Sequence, residues 1–406
     1  MREKLNRALG TVLAALAAIL LLSYFASMAL GPLLFYLTSQ GAEIASQRMA
    51  TLPLSFFMIV NLEVPVGINA GLFFIALWVF YLGAFVLAWT ERPNVVSSMD
   101  SLASGRLDIT GSNYLATMPL LASALILVVV LLQTLQESAG VQTGSIKFQN
   151  PFVGYLVVSY APLIEEVSFR ITTIGFFDGL YLLWKTRRAN PDNPRPGIAR
   201  VLLLTMWSPE AAKRLLGLRT IRDDGLRRGI LGFEWLVLAV TSVSFGVVHY
   251  LSGAGWQIGK ISTALISGLA LGFVYLRYGA YAPILLHWFF NYYFGTYDLA
   301  SQMQVAGSDW VAAGIEFLNL GTGIFVIVVL TLALLTQRWP RHALIGSADA
   351  SAVFRMFHKE MHDKLCSLQV SESVSPPSPY APLNSAASQP DTQTNAIRRL
   401  LDESRA

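Results

Sequence analysis

Apolar positions run without interruption over stretches long enough to cross roughly 30 Å of hydrocarbon. They lie at about 9–37, 66–89, 115–135, 150–184, 230–252, 258–278, 281–299 and 310–337. The pattern predicts an all-α polytopic membrane protein with about eight transmembrane helices. The first run follows Arg2, Lys4 and Arg7 and is long for a signal peptide, so it reads as a retained anchor helix. The fourth is long and carries Pro162, which is expected to kink it. Gly268 and Gly272 form a small-xxx-small pair that lets the sixth span approach a neighbour closely. A tight turn around Gly279-Ala280-Tyr281-Ala282-Pro283 joins it to the seventh.

Beyond Trp339 the pattern breaks. A short amphipathic helix is expected over 352–365, disorder over the Pro/Ser/Gln-rich 371–394, and a last helix over 395–405. The economical division is three spans in 1–144, a membrane core in 145–300 with a basic insertion at 185–228, a last span in 301–340, and a largely disordered cytoplasmic tail in 341–406.

Composition agrees: 54% of the 406 residues are hydrophobic and 13% charged, against about 25% charged in soluble domains. The single cysteine, Cys366, rules out intrachain disulfides and four-cysteine metal sites. Charge placement matters more than the net +4. The 185–228 segment holds eleven basic against four acidic residues, and Arg277, Arg338 and Arg341 flank later spans. An eight-span chain with both termini in the cytoplasm puts all of these on the cytoplasmic side, as a multi-pass protein of the cell membrane. Within the insertion, 200–219 mixes leucines with basic residues and is interrupted by Pro209, which predicts two short interfacial helices. The expected surroundings are a lipid bilayer, with no nucleic-acid partner.

Against this background the cluster Glu165-Glu166-Val167-Ser168-Phe169-Arg170 stands out, because charge inside a span costs several kcal/mol unless paired or wet. Glu166 and Arg170 are four residues apart on one helix face, an intrahelical ion pair. Glu165 points about 100° away and is left as a carboxylate of general-base character. Only two of the five histidines fall in apolar spans: His249, one turn after Phe245, and His287, one turn before Asn291. The pair can share a water or bind a metal, and Asn291 offers an amide N–H to an oxyanion. Each item alone has a plainer reading, an interhelical hydrogen bond or a packing ion pair. Their joint occurrence in order on three helices points to a water-activating hydrolase. Span counting puts His249 near the outer end of its helix and His287 nearer the inner end of its own. Their meeting therefore requires a tilted fifth span or a 252–255 turn that dips into the protein.

The ordered trio EExxxR, FxxxH and HxxxN resembles the CPBP family of intramembrane proteases, the type II CAAX prenyl endopeptidase or Abi family, over roughly 145–300. The resemblance implies a helical membrane protease whose eukaryotic members remove the last three residues of prenylated C-a-a-X proteins. Its substrate is then a membrane-anchored protein or lipidated peptide. By motif, Glu165 and His249 activate the water, His287 and Asn291 hold the oxyanion, and Glu166 with Arg170 supports the site. A competing form of the same protease is zinc-dependent, with Glu165, His249 and His287 as ligands; otherwise no cofactor is expected. Two departures are Ile171 in place of a glycine after the arginine and the long insertion between the first two motifs. His358-Lys359-Glu360-Met361-His362 misses the HExxH pattern and reads as ordinary amphipathic helix. Two other classes compete: a transporter with Glu165, His249 and His287 as an ion relay, which predicts an inverted repeat that the sequence lacks, and a scaffold that keeps the fold without the chemistry.

Overall fold

The computed structural model describes residues 2–106, 111–189 and 196–335. The tail beyond 335, with Cys366, His342, His358 and His362 and its expected helices, lies outside the described residues. So does 190–195 of the insertion.

The apolar runs fold as helices: α1 (Arg2–Leu37), a short α2 (Ser39–Ser46), α3 (Ala70–Thr90), α4 (Val95–Ala103) and α5 (Tyr114–Ser138). Asparagines start several of them: Asn69, Asn94, Asn113 and Asn150 each accept a first-turn backbone N–H. The long fourth run is one continuous rod of three parts: α6 (Pro151–Glu166), a π-helical segment π1 (Val167–Ile174) and α7 (Gly175–Ala189). The irregularity expected at Pro162 comes instead one turn after it, as a change of pitch. The widened turns free carbonyls, and the Thr172 and Thr173 hydroxyls donate to Val167 O and Ser168 O.

Three short helices follow: α8 (Ile198–Trp207), α9 (Pro209–Leu215) and α10 (Ile221–Gly229). Ser208 caps α9, with Pro209 in its first turn, so two helices broken at Pro209 are what the chain forms. They are docked rather than loosely laid out. Lys213 is fully buried, with its Nζ 2.8 Å from Glu234 Oε1 and 2.7 Å from Gly229 O. The rest of the bundle is α11 (Gly232–Leu251), α12 (Lys260–Tyr278), α13 (Tyr281–Trp288), a second π segment π2 (Phe289–Tyr293), α14 (Phe294–Gln302) and α15 (Ser308–Leu335).

Among the described residues, seven helices are long and apolar enough to cross a membrane, which makes this a multi-pass membrane protein. Exposed Leu131, Leu135 and Phe317 put apolar side chains where lipid would lie. The eighth expected run, 281–299, is also helical, from α13 through α14, but it carries His287, Asn291 and four tyrosines. It can be that polar because it is packed inside the bundle. Trp288 stacks on Tyr81 at 3.9 Å and on Tyr292 at 4.0 Å, and Tyr24 meets the Phe289 and Tyr293 rings.

One element adds to the helical expectation. Residues assigned partly to the second span form an antiparallel hairpin, β1 (Arg48–Phe56) and β2 (Val60–Asn69), so α3 begins at Ala70 rather than 66. The signal is in the sequence: Val60, Leu62, Val64, Val66 and Ile68 alternate with non-apolar or turn-forming residues, the period of a strand.

Candidate active site

The rod α6–π1–α7 carries the acidic pair, α11 carries Phe245 and His249, and α13 carries His287. The α11–α12 seam is closed by small residues. A Cβ at Gly246 would lie 2.4 Å from the Ile261 carbonyl, and one at Gly272 would lie 2.2 Å from the Leu238 side chain. A Cβ at Gly268 would touch Ser242 Cα at 3.2 Å. The close approach expected of Gly268 and Gly272 is therefore made against α11.

That seam brings the three motifs together. Glu165 Oε2 stands 3.9 Å from His249 Nε2 and 3.8 Å from His287 Nε2. The depth mismatch from span counting is resolved by tertiary placement: α11 ends at Leu251, just past His249, and its following loop is tied to the 142–145 segment. Glu165 Oε2 is shielded from solvent and has no hydrogen-bond partner, although the side chain is 28% exposed. The gap to each imidazole is too long for a direct hydrogen bond, and a water lying beside it can bridge the oxygen to either nitrogen at a narrow angle.

The neighbouring carboxylate is held through one of its oxygens, while its Oε2 also lacks a partner. Glu166 is fully buried, and its Oε1 accepts from Arg170 Nη1 at 3.1 Å and from His287 Nδ1 at 2.8 Å. The intrahelical ion pair is as expected. The bond to His287 is an addition that sequence spacing could not reveal, because 121 residues separate the partners. Arg170 also donates from Nη2 to Gly268 O at 3.2 Å and lies over the Phe245 ring at 4.4 Å. Phe245 thus packs under the guanidinium and against both imidazoles, with ring centroids 4.6 Å from His249 and 6.0 Å from His287.

The partners fix the tautomers. His249 Nδ1 lies 2.7 Å from Phe245 O, a carbonyl that only accepts, so Nδ1 carries the hydrogen. His287 Nδ1 faces the Glu166 carboxylate and carries one for the same reason. In their neutral forms both rings therefore turn a lone pair on Nε2 towards Glu165. Asn291 sits in π2, half-buried, with no hydrogen bond drawing its amide elsewhere.

Two imidazole nitrogens and a carboxylate oxygen are donors that suit zinc, yet their spacing is wide. Tetrahedral ligands at 2.0–2.1 Å stand about 3.3 Å from one another, against 3.8 and 3.9 Å here. Among the described residues no group of three His, Cys, Asp or Glu is arranged to hold a metal ion. No step below is routed through one.

The hairpin, unforeseen as a component of the site, lies along the same rod. Tyr160 donates to Pro53 O at 2.7 Å, the Ser55 and Ser168 hydroxyls meet at 3.0 Å, and Met58 N donates to Ser168 Oγ at 3.0 Å. Phe57 N donates to Thr172 Oγ1 at 2.9 Å. These contacts run from five residues before Glu165 to seven after it, so the hairpin packs along the stretch of rod that carries the acidic pair.

Residues 147–293 match the family model described as type II CAAX prenyl endopeptidase Rce1-like. The matched segment contains all six polar motif residues, and the family is one of membrane proteases acting on CAAX proteins. Comparison with curated proteins and with solved structures gives no match. The Rce1-like segment begins just before α6 and ends with π2, so the polar cluster and the protease resemblance coincide in the chain.

Proposed function

We propose that this protein is an intramembrane endopeptidase that hydrolyses a peptide bond near the C-terminus of a membrane-anchored, CAAX-type prenylated protein. The observation that carries this reading is the unpartnered Glu165 Oε2 held between two imidazole Nε2 atoms. A water in that gap gives one proton to Glu165 and is aligned by a hydrogen bond to His249 Nε2. Its oxygen attacks the scissile carbonyl carbon. A protonated His287 donates Nε2–H to the oxyanion while Glu166 accepts from its Nδ1 and fixes the ring. Asn291, four residues on from His287, is the expected second donor. When the tetrahedral intermediate collapses, the C–N bond breaks and the proton on Glu165 passes to the leaving amine. The released water atoms end as a new carboxylate and an amine, with no other reactant required.

Glu166 and Arg170 act through His287 and the helix seam rather than on the substrate. The zinc-dependent form remains a distinct mechanism for the same reaction. An ion relay or an inert scaffold would also keep the cluster, but neither accounts for its lying inside an Rce1-like segment.

The test is cleavage of a farnesylated CAAX peptide by the purified chain and by Glu165→Gln, which keeps shape and removes the base. A loss of about 10²- to 10⁴-fold is expected, the usual worth of a general base. Cleavage unchanged in the variant overturns the glutamate mechanism. No cleavage by the wild type overturns the protease reading. Loss of wild-type cleavage in a chelator, restored by zinc, moves Glu165, His249 and His287 into ligand roles.

A further inference from the structure

We propose that Lys260 is the group that receives the substrate's free C-terminal carboxylate, on a platform formed by Trp256. This rests on the endopeptidase reading and adds to it what places the chain end, and so which bond is cut.

Lys260 is the first residue of α12, and its Nζ lies 3.9 Å from the centroid of the Trp256 ring. Among the described residues no carboxylate comes within ion-pair distance of it. An ammonium on a half-buried stem without an ion-pair partner is a costly arrangement unless an anion arrives in use. The platform is held firmly. Trp256 bridges to Gly144, Gln257 N donates to Thr143 O at 2.9 Å, and Gly259 N donates to Gln142 O at 2.9 Å.

Position ties this cation to the site. Ile261, the next residue, lies against Gly246, and His249 is the next turn of α11 beyond Gly246 in the direction of Lys260. Lys260 makes no ion pair with Glu165, whose own near neighbours are the two imidazoles. A gap thus separates base from cation. A released tripeptide, extended at about 3.3 Å per residue, spans about 10 Å. Glu165 on α6 and Lys260 on α12 belong to adjoining rods of one bundle, joined by the bond from Arg170 to Gly268 O. A cation there suits the carboxylate of a short leaving peptide, and the flat indole suits its terminal side chain.

The test uses the full chain in lipid nanodiscs and a farnesylated heptapeptide with an N-methylated scissile bond, as the free acid and as the C-terminal amide. Binding of the acid is expected to exceed that of the amide by about 10- to 100-fold, the worth of a charge-assisted hydrogen bond. In Lys260→Met the acid-to-amide ratio is expected to collapse towards one, and in Lys260→Arg to persist. Equal binding of acid and amide by the wild type overturns the proposal, as does a Lys260→Met variant that weakens both alike. Because binding is read without turnover, acid-selective binding that depends on Lys260 supports it even if the cleavable peptide stays intact. That last result would count against the protease reading alone.

Discussion

Glu165 and Glu166 are neighbours in the chain with opposite surroundings, one half-open beside two imidazoles and the other sealed under an arginine. The difference comes from the 100° between consecutive helical side chains, which is legible in the sequence. What the sequence could not supply is the identity of the groups across the gap. Glu166 serves Arg170 and His287 at once, so its charge is shared between an ion pair and an imidazole. Arg170 in turn meets Glu166, Gly268 O and the rings of Phe245 and Phe169. A lysine there reaches only one of the two acceptors. Arg170→Lys is therefore expected to lower stability by about 1–3 kcal/mol through the orphaned carbonyl. Arg170→Ala, which leaves a buried carboxylate uncompensated, is expected to cost about 3–5 kcal/mol. Thermal unfolding of the purified variants in one detergent orders them; equal losses would count against the multiple-partner account.

Among elements, the hairpin is the clearest case of a pattern overridden by a neighbouring one. Its period-2 alternation is present over 60–68, but it runs directly into the apolar α3 and is easily absorbed into a span. Its turn is also unusual, because Phe57 and Met58 both take positive φ, 52° and 65°, without a glycine. Such strain persists only where the surroundings hold it. Here the amides of those two residues are held by the hydroxyls of Thr172 and Ser168, on π1. The double substitution Ser168→Ala with Thr172→Val removes those acceptors. Each hydrogen bond is worth about 0.5–1.5 kcal/mol, so amide exchange at Phe57 and Met58 is expected to quicken by about 10- to 100-fold. Exchange along α11 and α12 should stay as it was. Faster exchange throughout the bundle would mean that the hydroxyls hold π1 itself rather than the hairpin.

At the scale of the whole molecule, the basic insertion proves to be a docked helical unit. Its anchor is Lys213 with Glu234, both fully buried, while Tyr275 donates to Thr205 O and Ala280 N to Trp207 O. The basic residues of 185–228 are expected on the cytoplasmic side, and one of them is an internal counterion. Lys213→Met is expected to destabilise the protein by about 3–5 kcal/mol by stranding Glu234. Adding Glu234→Gln removes the stranded charge and keeps an oxygen for the Leu231 amide, so the double variant should recover part of that loss. Thermal unfolding checks both, and a double variant no better than the single one would show that charge is not the cause.

The sequence by itself determined the helical membrane architecture, because hydrocarbon admits only long apolar helices there and their runs are uninterrupted. It also determined which polar residues are exceptional, since charge in such runs is costly enough to be rare. Only the tertiary structure decided that 281–302 lies inside the bundle, that Glu166 holds His287, and that a hairpin packs on π1. It alone brings Lys260 to the level of His249. Each of these is a contact between residues distant in the chain, chosen by packing at glycine seams and by partners for buried polar groups. Local periodicity carries no record of such choices.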